Sequence, residues 1–333
     1  MERIAIIGLG LIGGSIGLAL KQSDVGDLQI VGTARTRGTV QRAKKLGAID
    51  IEAASAAEAV KDARLVIVAS PIIAMRTVFQ EIAPALADGA VVTDVASTKG
   101  DVSRWAKELL PATAHFVGGH PMAGKETQGI DAADADLFRD KPWVITPSVD
   151  ASESAVNTVV GLAQLAGAVP MFMDPDEHDS YAAAISHLPL LLSAALFSVA
   201  QGSAAWPELA QLASSGFRDT TRLASGSPEM AHDIMISNRD NVLHWLDRFI
   251  NELTRYREIV ATGESEAVVE AFTRPQIERE NFLVNGPPRR DEREPMEKVS
   301  LSEMLLGSKI SGFMNKQQEI IKAAEARANG KRP

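Results

Sequence analysis

Two polar side chains stand just past the ends of two apolar runs. Val91-Val92-Thr93 stops at Asp94 and leads to Ser97-Thr98-Lys99, and Phe116-Val117 stops at Gly118-Gly119 and leads to His120. Open α/β sheets bind ligands beyond the carboxyl ends of their strands, so both runs, read as strands, deliver a polar group to one rim. A histidine beside a hydroxyl there suits acceptance of a proton from an alcohol, because imidazole titrates close to neutrality. Lys125 and Glu126 follow on the same glycine-bracketed loop and add two charges.

The elements that must position these groups begin at the N-terminus. Ile4-Ala5-Ile6-Ile7 is a β-rich run entering Gly8-Leu9-Gly10-Leu11-Ile12-Gly13, and Ile12 to Lys21 continues at helical spacing. Strand, glycine turn and helix form the context in which G-x-G-x-x-G binds a dinucleotide. Gly8 permits the tight turn, Gly10 lets backbone approach a pyrophosphate, and Gly13 lets helix and strand pack closely. Leu11 and Ile12 carry the first helical turn, whose free N–H groups face the phosphates. A nicotinamide beside His120 makes the chemistry that of an oxidoreductase. An NAD site usually carries an acidic residue about 20 positions past the glycines, for the ribose 2′-hydroxyl. Ala34 stands there instead, followed by Arg35 and Arg37. A missing carboxylate and a nearby guanidinium favour a 2′-phosphate, hence NADP over NAD, with Arg35 the first candidate partner. The unbroken apolar run Leu65-Val66-Ile67-Val68-Ala69 reads as a buried parallel strand, ending at Ser70-Pro71, a loop placed to pack on the cofactor.

Three further groups carry chemistry-bearing side chains. Ser186-His187-Leu188-Pro189 reads as a break between two apolar helices, so His187 either caps backbone or faces a pocket. Arg218 and Arg222 stand four apart, on one face if helical; the plain alternative pairs them with Asp219 or a nearby glutamate. His178, between Glu177 and Asp179, reads as structural. His115 and His120 have no carboxylate at ligand spacing, so no metal is expected.

The alternation of strands and helices predicts an α/β fold: an N-terminal Rossmann-like doubly wound sheet over residues 1–173. An all-α substrate and dimerisation domain follows over 174–285, in which Leu188 to Ala200 reads as a buried helix. Its rows of Leu, Ile, Ala and Phe exceed the needs of one small core, which points to a homodimer. Residues 286–333 read as a linker, Gly286 to Pro295, and a helical tail, Leu301 to Ala326. A net charge of −9 argues against a nucleic-acid surface. The absence of cysteine excludes disulfides, thiol catalysis and zinc–thiolate sites and fits a cytoplasmic protein. Ile4 to Leu20 is apolar but glycine-rich, without a basic leader and shorter than the ~20 residues that span a bilayer, so no membrane partner is expected.

Together these groups resemble the prephenate and arogenate dehydrogenase family of tyrosine biosynthesis. The residues that carry the resemblance are Gly8 to Ser15, Asp94 to Gly100, His120-Pro121-Met122-Ala123-Gly124, Ser186 to Pro189 and Gly216 to Arg222, in the family's order over residues 1 to 275. The resemblance implies oxidative decarboxylation of a cyclohexadienol to 4-hydroxyphenylpyruvate or tyrosine. Hydride leaves the ring carbon bearing the hydroxyl, CO₂ is lost and the ring becomes aromatic. It also implies roles: His120 withdraws the hydroxyl proton, Ser97 orients His120, and Arg218 or Arg222 holds a substrate carboxylate. His187 would line the pocket, Lys125 and Glu126 would guard its mouth, and the helical domain would form the dimer. Many prephenate-type members carry a second histidine after the Leu-Pro pair; Leu190 stands there in this chain. With Arg35, that looks more like the NADP-using arogenate branch. The tail lacks the βαββαβ pattern of an amino-acid-sensing domain, so no tyrosine sensor of that kind is expected. One rival reading, a β-hydroxyacid dehydrogenase or imine reductase, shares the glycine motif but not the His120 segment; another, of a different class, is a non-catalytic NADPH-binding dimeric module.

Overall fold

The apolar runs become one sheet. The computed structural model describes residues 2–23 and 28–287; apart from its first two residues, the expected linker and tail of 286–333 lies outside them. In chain order come β1 (Glu2–Ile7), α1 (Leu11–Gln22), β2 (Leu28–Thr33), α2 (Arg37–Lys45) and β3 (Ile51–Glu52). Next are α3 (Ala56–Ala59), β4 (Leu65–Val68), α4 (Ile72–Ile82), β5 (Val91–Asp94) and α5 (Gly100–Leu109). Then follow β6 (His115–Pro121), β7 (Pro142–Pro147), α6 (Glu153–Leu165) and β8 (Val169–Phe172). The remaining described chain is helical: α7 (Pro175–Ala182), α8 (Leu188–Gln201), α9 (Trp206–Leu212) and α10 (Ser215–Thr221), then α11 (Pro228–Ser237), α12 (Arg239–Thr262) and α13 (Ser265–Asn285).

The sheet order is β3-β2-β1-β4-β5-β6-β7-β8. Strands β1 to β6 pair in parallel, β7 runs antiparallel to β6, and β8 is parallel to β7. The order reverses between β1 and β4, so a crevice opens past their carboxyl ends, at the Gly8 loop and at Ser70. Helices cover the sheet, and Ala5, Val31, Val66 and Val92 pack with Met75, Phe79 and Ile82 of α4 and Val102 of α5. Ile234 of α11 belongs to the same buried cluster. Compactness divides the described chain after Asn238: α7 to α11 group with the sheet, while α12 and α13 form a second unit. The sheet itself ends at Phe172, beside the expected boundary at 173/174.

Three local expectations change. The pattern predicts that the Phe116 strand stops at Gly118-Gly119 and leaves His120 on a loop. Instead β6 continues through Pro121, with His120 opposite Val144. The two glycines are not a turn: a Cβ on Gly119 would lie 2.8 Å from the Asp94 carbonyl oxygen, and one on Gly118 would strike Thr146 Oγ1. Close approach of neighbouring strands, not chain reversal, requires glycine there. The predicted break at Ser186 to Pro189 is instead a π turn over 183–187 that carries α7 into α8 without interruption. Pro189 sits in the first turn of α8, where a missing N–H is tolerated. Finally, α8 is not buried within the protomer: Leu196, Phe197 and Val199 are exposed and only Leu188 and Ser193 are covered.

The glycine turn has the predicted division of labour. Gly8 has φ +97°, a Cβ on Gly13 would fall on the Gly8 carbonyl oxygen, and Gly10 faces no atom within 4 Å. Gly13→Ala is therefore expected to lower the unfolding free energy by about 1–3 kcal/mol through forced backbone shifts, while Gly10→Ala leaves it near wild type. Urea unfolding of both variants checks this; equal losses at the two positions contradict the packing described.

Candidate active site

His120 lies on β6 with 8% of its surface exposed, and its orientation is set from α7. Its Nδ1 is 2.8 Å from His178 Nε2, and the two rings meet edge to face. His178 Nδ1 is in turn 2.8 Å from Asp179 Oδ1. Asp179 also accepts the Lys99 amide on Oδ1 (2.7 Å) and the Gly100 amide on Oδ2 (2.8 Å), the first amides of α5. A carboxylate only accepts, so His178 Nδ1 must donate to it and His178 Nε2 must accept. His120 Nδ1–H then donates to that nitrogen, and His120 Nε2 keeps a free lone pair. Ser97, half-buried on the loop between β5 and α5, makes no hydrogen bond to His120; the orienting group is His178.

Burial and neighbouring groups favour the neutral form of His120. Burial holds His120 well below its ordinary value of 6.5, and the nearby His178, Lys99 and His187 push it the same way. Lys99 is wholly buried; its ammonium donates to the Asp94 carboxylate and to the Gly119 carbonyl oxygen at 2.6 Å. Burial lowers its pKa, while the Asp94 charge opposes the fall. Asp94 also accepts the amides of Ala96 (2.8 Å) and Gly119 (3.2 Å). The end of β5 is thereby stapled to the residue that precedes His120.

His187 lies inside the continuous helical run from α7 to α8. It is fully buried, with Nδ1 accepting from Asn238 Nδ2 at 3.0 Å. Burial pulls its pKa to about 4 against the opposing Asp179 charge and Ser97 backbone, with His178 adding to the fall.

The start of α1 fits the phosphates of a dinucleotide. Gly10 at its N-terminus has no side-chain acceptor and open space around it. The helices that follow β4 and β5 are satisfied from within: Asp233 of α11 accepts the Ile73 amide of α4 at 3.2 Å, and Asp179 serves α5. Thr98 and Ser237 hydroxyls join the α5 loop to the end of α11 at 2.9 Å. Ser70 Oγ, just past β4, is buried without a partner. Arg35 is exposed beyond the carboxyl end of β2, and Pro71 starts α4.

On the substrate side, Glu126 is ion-paired with Arg222, so the plain pairing with a glutamate holds for that arginine. Lys125 pairs with Asp134 at 2.9 Å. Arg218, exposed on α10, makes no ion pair among the described residues. Sequence reasoning missed the roles of His178, Asp179, Lys99 and Asn238. The His178–His120 contact spans 58 residues, and no local pattern announces it.

Comparison with known proteins follows this layout. Residues 16–171 match the family model described as prephenate dehydrogenase, nucleotide-binding domain, and residues 174–274 match prephenate dehydrogenase, dimerization domain. The chain is 37% identical to a prephenate dehydrogenase of Bacillus subtilis over 81% of this chain and 73% of that one. A structure of A. aeolicus prephenate dehydrogenase, in complex with hydroxyphenyl propionate and NAD+, superposes with TM-score 0.79 at 28% identity, covering 85% of this chain and 98% of that one. Synechocystis arogenate dehydrogenase gives TM-score 0.72 at 28% identity, covering 84% and 100%.

The buried histidines tie stability to acidity. His187 has a folded pKa near 4 and an ordinary value of 6.5, so the unfolded chain binds its proton first as pH falls. Stability is fully present above pH 6.5 and is lost as pH drops toward 4, by about 3 kcal/mol at the limit. His120 acts in the same direction. Urea unfolding between pH 7.5 and about 4.5 is expected to show the decline, with a shallower slope in His187→Gln; a pH-independent midpoint contradicts it.

Proposed function

The chain belongs to the prephenate dehydrogenase family, and from that premise we propose that it oxidatively decarboxylates a cyclohexadienyl substrate, L-arogenate in preference to prephenate, with NADP preferred to NAD. The observation that carries this reading is the buried His120 on β6, held neutral and hydrogen-bonded through Nδ1 to His178, in a sheet whose first helix, α1, keeps an open N-terminus. The nicotinamide, when bound, supplies the hydride acceptor.

The chain's own groups do the rest. His120 Nε2 receives the hydrogen bond of the ring hydroxyl and takes its proton as hydride leaves the carbon that bears it. Because burial and neighbouring groups keep His120 uncharged, the base is ready before substrate arrives. Loss of CO₂ from the ring then completes aromatisation. The α1 amides, with Gly8, Gly10 and Gly13 keeping the turn tight, hold the pyrophosphate; Ser70 Oγ offers a polar contact from β4. Arg35 serves the 2′-phosphate. Arg218 or Arg222 holds a substrate carboxylate, Arg218 making no ion pair among the described residues, and Lys125 and Glu126 stand at the mouth.

A homodimer in the cytoplasm completes the reading. The apolar Leu196, Phe197 and Val199 face of α8 lies in the stretch that matches the family's dimerization domain. The continuous rod Pro175–Gln201 has the length and apolar composition to cross a membrane. Its buried polar His187 and Ser193 and its family match support a protein-facing role.

Initial rates with NADP and NAD, each paired with L-arogenate and prephenate, test the assignment. Arogenate with NADP is expected to be fastest; preference for prephenate with NAD removes the inferences from Arg35 and Leu190 and keeps the reaction. No turnover of either substrate removes the reaction itself. His120→Asn is expected to lose at least about 100-fold in kcat while keeping its NADP affinity. Arg35→Ala is expected to raise KM for NADP about tenfold, a loss near 1.4 kcal/mol, and to leave KM for NAD unchanged.

A further inference from the structure

One carboxylate serves two parts of the site. Asp179 Oδ1 takes the Lys99 amide at 2.7 Å and the His178 imidazole at 2.8 Å, and Oδ2 takes the Gly100 amide at 2.8 Å. Those amides open α5 directly after the Ser97 loop, and His178 is the group that holds His120. The Asp179 backbone carbonyl is itself pinned by Asn238 Nδ2 at 2.7 Å. All four side chains, Asp179, His178, His120 and Asn238, are buried. We propose that Asp179 is a positioning residue that fixes His120, through His178, in the tautomer with hydrogen on Nδ1 and a bare Nε2, and at the same time holds the Ser97 loop in register with that base. The proposal deepens the reading of His120 as proton acceptor and rests on it.

The reasoning is a count of donors and acceptors. His120 has one ring nitrogen committed inside the protein, at His178 Nε2. If His178 presented N–H there, His120 Nδ1 would have to accept, its hydrogen would sit on Nε2, and no lone pair would face the substrate. An acceptor at His178 Nδ1 puts the hydrogen of that neutral ring on Nδ1 and leaves Nε2 to accept from His120, and Asp179 is the acceptor present. The same carboxylate answers the charge that forms when His120 is protonated. The other charged or titratable groups around it do not: Asp94 is engaged by the Lys99 ammonium, Lys99 carries the wrong sign, and His187 is uncharged and bound to Asn238. An aspartate that orients an imidazole through its Nδ1–H is a recurring arrangement in proton-transfer sites, here extended by a second ring.

The first test needs no variant that weakens the fold. Nitrogen-15 spectra of the full chain labelled at histidine, near pH 7.5, report which ring nitrogen bears hydrogen, and His120→Asn identifies the His120 signals. The expected result is hydrogen on Nδ1 of both His120 and His178; hydrogen on His120 Nε2 overturns the proposal. In Asp179→Asn, His120 is expected to lose its single tautomer and kcat to fall about 100-fold, with substrate KM and cofactor Kd unchanged. A fall in kcat with the tautomer intact makes Asp179 a helix cap alone and overturns the proposal. Should Asp179→Asn fail to fold, His178→Gln and His178→Leu leave the α5 cap in place. Glutamine Oε1 still accepts from His120 and is expected to recover most of the rate lost with leucine; equal rates overturn the proposal. Unchanged turnover in His120→Asn instead removes the function reading and leaves the tautomer result standing, so the two failures are separable.

Discussion

A lysine with no exposed surface is the constraint around which the site is built. An isolated buried ammonium costs several kcal/mol, so Lys99 is tolerable only with a counter-charge and further acceptors. Asp94 supplies the charge and the Gly119 carbonyl a second acceptor. Asp94 also collects the Ala96 and Gly119 amides, so the pair is hydrogen-bonded on both sides. The consequence is geometric: the end of β5, the start of α5 and the residue before His120 are locked together. Gly118 and Gly119 follow from the same closeness, since the strands approach too tightly for a Cβ at either position.

A parallel sheet brings a second constraint, because it aims helix N-termini at one crevice and each carries unsatisfied amides and partial positive charge. Aspartates from α7 and α11 answer the starts of α5 and α4. The start of α1 receives no such group, and Gly10 leaves it open. Among the described residues, the starts of α4 and α5 are thus answered by aspartates from other helices, while that of α1 is not. These caps also bind α7 and α11 to the sheet, so the helices that complete the site are held by the same polar contacts that shape it.

The ion pairs differ sharply in what they contribute. Glu126 and Arg222 are about half exposed, as are Lys125 and Asp134, and pairs of that kind are worth about 0–1 kcal/mol in water. They set where these exposed side chains rest and can be exchanged for other partners at little cost. The Lys99–Asp94 pair has no such freedom; removing one partner would strand a buried charge. The contrast between the rigid buried pair and the exchangeable exposed ones thus follows from burial alone.

Patterns carried by a few consecutive residues were legible in the sequence. The β1–glycine–α1 unit, the alternation of strands and helices, and the delivery of Ser97 and His120 to one rim all rest on local periodicity and turn chemistry. Reading Gly118-Gly119 as a stop failed because a glycine needed for close packing looks like a glycine needed for a turn. Reading α8 as buried failed because an apolar helix does not say whether its own chain covers it. His178 looked structural because its partner stands 58 residues away, and Asp233 reaches the α4 amide across 160. The sequence by itself determined most of the elements, the glycine turn after β1 and the candidate residues of the site. Only the tertiary structure decided the burial and orientation of His120, since those depend on partners that meet only when distant segments pack.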